Sequence, residues 1–306
     1  MEVYTRLTDI RGRFVNSAVA LGTFDGVHVG HQHIIRTAAA CARKAGGASI
    51  VFTFNNHPLS VIDPDRSPPL LITAAYREEL IAALGADVLL SVSFDRALLE
   101  LPPAAFIDLL VDNLRPSCVV VGPNYSFGHR GAGTPEMLAL AGRERGFEVL
   151  VPPAVELGGT IVSSTLIRQL ILAGDVAEAA PLLGRPFRVS GTVNRGEGRG
   201  RTLGFPTANI TAAAGQIVPA DGVYATDVYV DGASYSGVAN IGANPTFRGK
   251  ARHIEVHLLG FTGNLYGRTI AVDFLAKLRD ERTFAGAEEL KAQIARDIAA
   301  AGQYFK

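Results

Sequence analysis

The chain has 306 residues, 48% of them apolar, with a mean hydropathy of +0.21, which is length and apolar content enough for two filled cores and excludes a disordered polymer. Lysine plus arginine and aspartate plus glutamate number 29 each, so no net field draws the protein to nucleic acid or to an anionic membrane, and any phosphate it binds is held locally. No apolar run reaches the roughly 20 residues of a membrane span and the polar start lacks an apolar leader core, so a cytoplasmic protein is the expectation.

From residue 19 to about 183, short apolar runs at 19–21, 49–54, 88–92, 119–121 and 149–151 alternate with helical patterns such as 74–84 and 106–114. That alternation predicts an α/β domain, a Rossmann-like parallel sheet with helices on both faces and ligands at the carboxyl ends of the strands. The first strand ends in Gly22-Thr-Phe-Asp-Gly-Val-His-Val-Gly-His31, which delivers His28 and His31 to the start of an Ala-rich helix. Unpaired N–H groups and the positive dipole end at such a start attract phosphate, and two imidazoles three residues apart can each reach a phosphate oxygen. Gly22, Gly26 and Gly30 mark backbone that turns sharply and lets a ligand approach. No Gly-Lys-Ser/Thr follows, so the loop is not a P-loop. The next strand leads into Asn55-Asn-His-Pro58, which sets His57 at a carboxyl end as well. Cys41 and Cys118 lie in an Ala-rich helix and at the start of an apolar run, where they read as small core residues. After the fourth run, a glycine, polar and aromatic loop, 121–133, would hold a planar ring. Thr134 and Pro135 fit an N-cap and first-turn pair. Ser163-Ser-Thr-Leu-Ile-Arg168 opens a helix with hydroxyls at its start and Arg168 one turn on, a set suited to phosphate.

Beyond the turn at 184–186 the texture changes to period two. Segments 224–230 and 235–241 flank Asp231-Gly232 as a hairpin, and 254–258 with 270–274 suggest another across 261–266. With a late helix over 287–300, this half reads as a small antiparallel barrel. The domains are therefore expected at 1–183 and 184–306. Within 191–209, Gly196, Gly198 and Gly200 alternate with charges, a pattern suited to a flap over phosphates. Thr207 and Asn209, two apart in an extended segment, point the same way and would share Mg²⁺ or phosphate oxygens. In Ile254-Glu-Val-His-Leu258 the apolar residues take one face, which leaves Glu255 a fixed position on the other from which to accept a hydroxyl proton.

These segments together resemble the bacterial bifunctional riboflavin kinase/FAD synthetase family from about residue 15 to the C-terminus. Gly22 to His31, with Phe24 and Asp25 inside it, is similar to the nucleotidyltransferase signature, and Ser163 to Arg168 to its companion. Gly204-Phe-Pro-Thr-Ala-Asn209 is similar to the kinase signature, and residues 254–257 to the segment with the kinase's catalytic glutamate. The resemblance implies riboflavin phosphorylation by ATP in the barrel and adenylylation of FMN in the α/β domain, both with Mg²⁺. It implies that His28 and His31 stabilise charge on the ATP phosphates and that His57 and Asn124 position substrates. Ser164, Thr165 and Arg168 would hold phosphates; Gly198, Gly200 and Gly204 would line the nucleotide; Thr207 and Asn209 would bind the metal; and Glu255 would take the proton from the ribityl hydroxyl. Asn55 and Asn56 stand where the family commonly has an acidic residue and a proline, and 260–264 lacks the acidic residues common there. Two other readings compete: an FMN adenylyltransferase whose barrel only binds flavin as a regulatory module, and a general adenylyl- or cytidylyltransferase, which leaves the barrel unexplained.

Overall fold

The computed structural model describes residues 1–196, 200, 203–243 and 252–305. They form two compact units, Met1–Leu70 with Ala74–Ser163, and Leu71–Thr73 with Ser164–Lys306.

The first unit runs β1 (Glu2–Tyr4), α1 (Leu7–Ile10), β2 (Ser17–Leu21), α2 (Val29–Ala45), β3 (Ser49–Phe54), α3 (Leu59–Ile62), α4 (Ala74–Ala83), β4 (Val88–Val92), α5 (Arg96–Glu100), α6 (Pro103–Leu114), β5 (Pro116–Val120), α7 (Pro135–Arg145) and β6 (Glu148–Leu150), followed by two short strands, β7 (Glu156–Leu157) and β8 (Thr160–Ile161). Strands β1 to β6 make one parallel sheet in the order β1-β4-β3-β2-β5-β6. Every residue of β2 and β4 is buried, which is why these strands read as apolar runs and not as alternations. Val19 and Leu21 join Phe106 and Leu110 of α6 and Leu138 of α7 in one core cluster. Strand alternation turns Ala18 and Ala20 the other way, and α2 packs on β2 with its own Ala38, Ala39 and Ala42 buried, small residues that allow close approach. Thr134 caps α7 as its sequence predicts, its Oγ1 accepting the Met137 N–H at 3.4 Å with Pro135 in the first turn. The strand order reverses between β2 and β5, so the loops leaving both strands border the crevice where ligands bind in such sheets.

The second unit opens with α8 (Ser164–Ala173) and α9 (Val176–Leu183), then β9 (Phe187–Asn194), β10 (Ala208–Ala212), β11 (Gly222–Val230), β12 (Ala233–Ala243), β13 (Arg252–Leu258), β14 (Thr269–Arg279) and α10 (Ala287–Ala301). The six strands close into an antiparallel barrel, β10-β13-β12-β11-β14-β9. Its interior holds Phe187, Tyr224 and Phe274, with Tyr224 edge-on to Phe274 at 5.3 Å. Helix α9 packs on β9 and β14, so residues 164–183 precede the barrel in sequence and pack with it. Helix α10 covers Val223, Ala225 and Val238 and is tied to β14 by Arg279, which pairs with the buried Asp297 at 2.8 Å.

The 231–232 hairpin forms with Val230 opposite Ala233, both turn residues at positive φ, +48° and +84°, as a tight primed turn requires. The second expected hairpin does not form. β13 pairs with β12 and β10, whereas β14 crosses to β11 and β9. The segment between them is too long to enforce adjacency, and period two says which face a strand buries, not which strand lies beside it.

Candidate active sites

Between β2 and α2 the chain passes through a buried, strained loop. Phe24, Asp25, Val27 and His28 are all buried, and Phe24 and Val27 hold φ at +47° and +40°, the left-handed region that non-glycine residues seldom occupy. The Phe24 ring folds back on Gly22, where a Cβ would lie 2.9 Å from two ring carbons, so any side chain there would force the buried ring to move. His28 is the N-cap of α2, and its Nδ1 accepts the His31 N–H at 3.3 Å. From that bond, a neutral His28 carries its proton on Nε2, leaving a ring N–H as donor. The His28 and His31 rings stack with centroids 3.6 Å apart at 20°, and Phe24 meets His31 edge-on at 5.3 Å. The helix start and two locked imidazoles make a donor platform for an anion.

The neighbouring loops are braced by side chains. His57 Nδ1 accepts the Leu59 N–H at 3.1 Å, and its carbonyl accepts the Ser60 hydroxyl at 2.7 Å. Asn56, where the family pattern led us to expect proline or an acid, clamps the next loop. Its Oδ1 accepts the Phe94 N–H at 2.8 Å and its Nδ2 donates to the Phe94 carbonyl at 2.9 Å. Asn55 donates to Ser93 Oγ at 3.0 Å. In the loop after β5 the rings turn inward. Phe127 is buried against Phe106 at 5.2 Å and Tyr125 stacks on Phe127 at 5.9 Å, leaving Asn124 exposed on the turn that the Tyr125 N–H closes to the Gly122 carbonyl. Arg77 of α4 was not singled out by the sequence. It is buried and its Nη1 donates to the Thr23 carbonyl at 3.4 Å; burial pushes its pKa down while the charge of Asp25 opposes the shift.

The second cluster lies on the outer face of the barrel. Ile254, Val256 and Leu258 are buried while Glu255 and His257 are not, as the alternation predicts. Glu255 sits between Asn209 of β10 and Asn240 of β12 in register, and Thr207 Oγ1 donates to Glu255 Oε2 at 3.4 Å. His257 is held by the Pro206 carbonyl at Nδ1, 2.8 Å, and by the edge of Phe205 at 5.6 Å. Gly196 and Gly200 lie against this group: a Cβ on Gly196 would overlap the Asn209 carboxamide, and one on Gly200 would lie 3.2 Å from Thr207 Oγ1. Gly204 turns the chain at φ +88°. Gly198 lies outside the described residues. Asn240 was missed because nothing local marks it; only the pairing of β12 with β13 sets it beside Glu255.

Ser164 and Thr165 occupy the first turn of α8, half-buried and exposed, and Arg168 is buried one turn on. All three fall in the second unit. Both cysteines are free, and burial, helped by a hydrogen bond that the Cys118 thiol makes to Cys41, pushes Cys118 up to about 12, which disfavours a thiolate nucleophile there. Among the described residues no three His, Cys, Asp or Glu side chains group as a metal site, and no helix is long and apolar enough to cross a membrane.

Two family models match the chain: FAD synthetase over residues 12–166 and riboflavin kinase over 183–305. A protein of Pseudomonas fluorescens named bifunctional riboflavin kinase/FMN adenylyltransferase is 40% identical over 98% of this chain and 97% of its own length. The protein of that name from Escherichia coli K12 is 40% identical over 94% of this chain and 92% of its own. A crystal structure from Streptococcus pneumoniae, described as a macrolide-efflux protein, superposes with a TM-score of 0.91 at 34% identity and covers 99% of both chains.

Proposed function

The chain belongs to the bifunctional riboflavin kinase/FMN adenylyltransferase family, and from that premise we propose how its residues divide two reactions, ATP-dependent phosphorylation of riboflavin to FMN and adenylylation of FMN to FAD with release of pyrophosphate. The observation that carries the division is the separation of two donor sets into different compact units, stacked histidines at a helix start in one and a carboxylate between two carboxamides in the other.

Adenylyl transfer needs no protein nucleophile, because the FMN phosphate itself attacks the α-phosphorus of ATP. The work left to the protein is alignment and neutralisation of charge. His28 and His31 are fixed to do this with ring N–H donors at the N-terminus of α2. His57 and Asn124, on loops at the same end of the sheet, would position the substrates. Ser164, Thr165 and Arg168 would offer hydroxyls and a guanidinium to phosphate oxygens; they fall in the second unit, so the division of the reactions rests on the histidines and Glu255 alone.

Phosphorylation needs a base near the ribityl 5′-hydroxyl. Glu255 suits that role, being held on a strand with only one protein hydrogen bond, from Thr207, in contact with its carboxylate among the bonds described. As the hydroxyl attacks the γ-phosphorus, Glu255 takes its proton and ADP leaves. The oxygens of Thr207 and Asn209 are hard donors beside the Glu255 carboxylate, which fits Mg²⁺ that retains water and phosphate ligands while Glu255 stays free to accept the proton. When bound, such an ion supplies positive charge to the phosphate oxygens. The close approach of Gly196 and Gly200 to Asn209 and Thr207 supports Gly200 and Gly204 as parts of one phosphate-covering segment. We place both reactions in the cytoplasm, where ATP is at hand.

Incubation of the full chain with riboflavin, ATP and Mg²⁺ tests this: FMN is expected first and FAD after it. FMN that is never converted would overturn the dual function, and no product until FMN is added would return the reading of an FMN adenylyltransferase with a flavin-binding barrel.

A further inference from the structure

Arg77 belongs to no motif and has no part in the chemistry above, yet it is only 9% exposed. A buried guanidinium carries a desolvation cost that persists only where charge or hydrogen bonds offset it. Its partners lie on the loop that bears both histidines. Nη1 donates to the Thr23 carbonyl at 3.4 Å, the Asp25 charge acts on it through space, and among the described residues its Nε has no hydrogen-bond partner. The same carbonyl accepts Thr53 Oγ1 from β3 at 2.9 Å. Immediately downstream are the two left-handed non-glycine residues, Phe24 and Val27, and Val27 is branched at Cβ, which makes that conformation costly. Backbone strain of this kind survives where surrounding groups over-determine it. Here Thr53 and Arg77 grip the point at which the chain leaves β2.

We propose that Arg77 is a positioning residue for adenylyl transfer: from α4 it holds the Thr23 carbonyl, so that the strained loop presents the stacked His28 and His31 in fixed alignment to the nucleotide. The inference rests on the assignment of FAD formation to this unit. A residue acting this way lowers kcat and leaves KM for ATP unchanged, whereas a direct phosphate ligand would raise KM.

Arg77→Met and Arg77→Lys in the full chain test it, with riboflavin phosphorylation by the same preparations as the control for chain integrity. For Arg77→Met, kcat for FAD formation from FMN is expected to fall on the order of 10-fold or more, the scale of a sub-ångström misalignment, with KM for ATP unchanged. Arg77→Lys keeps the charge and one donor and should recover most of the loss. In Arg77→Met, amide exchange should quicken over 23–28 while β2 to β5 stay protected. An unchanged kcat in Arg77→Met, a lysine no better than methionine, a raised KM at constant kcat, or loss of protection across the whole sheet would each overturn the proposal. Failure of the unaltered chain to make FAD from FMN would instead overturn the assignment beneath it, and it shows before any variant is made.

Discussion

Glu255 and His31 lie in different compact units, so a single substitution at each should separate the activities. Glu255→Gln keeps the side-chain shape but removes the proton acceptor; FMN formation is expected to fall by about 10² to 10⁴, the worth of a general base, with FAD formation from added FMN retained. His31→Ala should lower FAD formation by on the order of 10² and leave riboflavin phosphorylation intact. Chromatography of the flavin products reads both, and either variant losing both activities would contradict the division. At this scale the sequence was informative where local pattern fixes orientation. Apolar alternation through 254–258 turns Glu255 and His257 to one face, and glycine spacing marks the loop with His28. It was silent on Asn240, Asn56 and Arg77, whose roles come from partners far along the chain: Glu255 across a strand pair, Phe94 in another loop and Thr23 beyond β3.

The elements that hold these residues were legible in proportion to how much of their environment is local. Buried parallel strands stand out as apolar runs, and β3 and β4 match the expected 49–54 and 88–92 residue for residue. Short β1, at the sheet edge, and α9, which carries Pro181 inside it, have no such signal. The pairing of β13 is non-local by nature, and sequence adjacency to β14 misled. The loop after β3 shows how a departure from the family pattern acquires a structural reason. Asn56 both donates to and accepts from Phe94, and a carboxylate could only accept. Asn56→Asp should therefore lose one hydrogen bond and set a charge against the Phe94 carbonyl, destabilising the first unit by about 1–3 kcal/mol. The check is the temperature at which FAD formation is lost on heating, with the kinase activity as the internal reference. An unchanged midpoint would show that the clamp carries no weight.

On the scale of the whole molecule, two textures meet in one chain: apolar runs alternating with helices, then period-two strands with glycine turns. The texture announces a parallel sheet followed by a barrel, and each forms with its own core. Composition alone could not reveal that the helices of 164–183, adjoining the α/β segment in sequence, pack with the barrel; amphipathic helices name the face they bury, not the unit they join. The central claim is that two separate sites use ATP differently, one transferring its terminal phosphoryl group and the other its adenylyl group. The most direct measurement is isotope tracing from riboflavin with ATP labelled at either the γ- or the α-phosphorus. The account predicts FMN labelled only from the γ position, and FAD whose flavin-side phosphorus comes from γ and whose adenosine-side phosphorus comes from α. FAD lacking either label, or label from α in FMN, would contradict it.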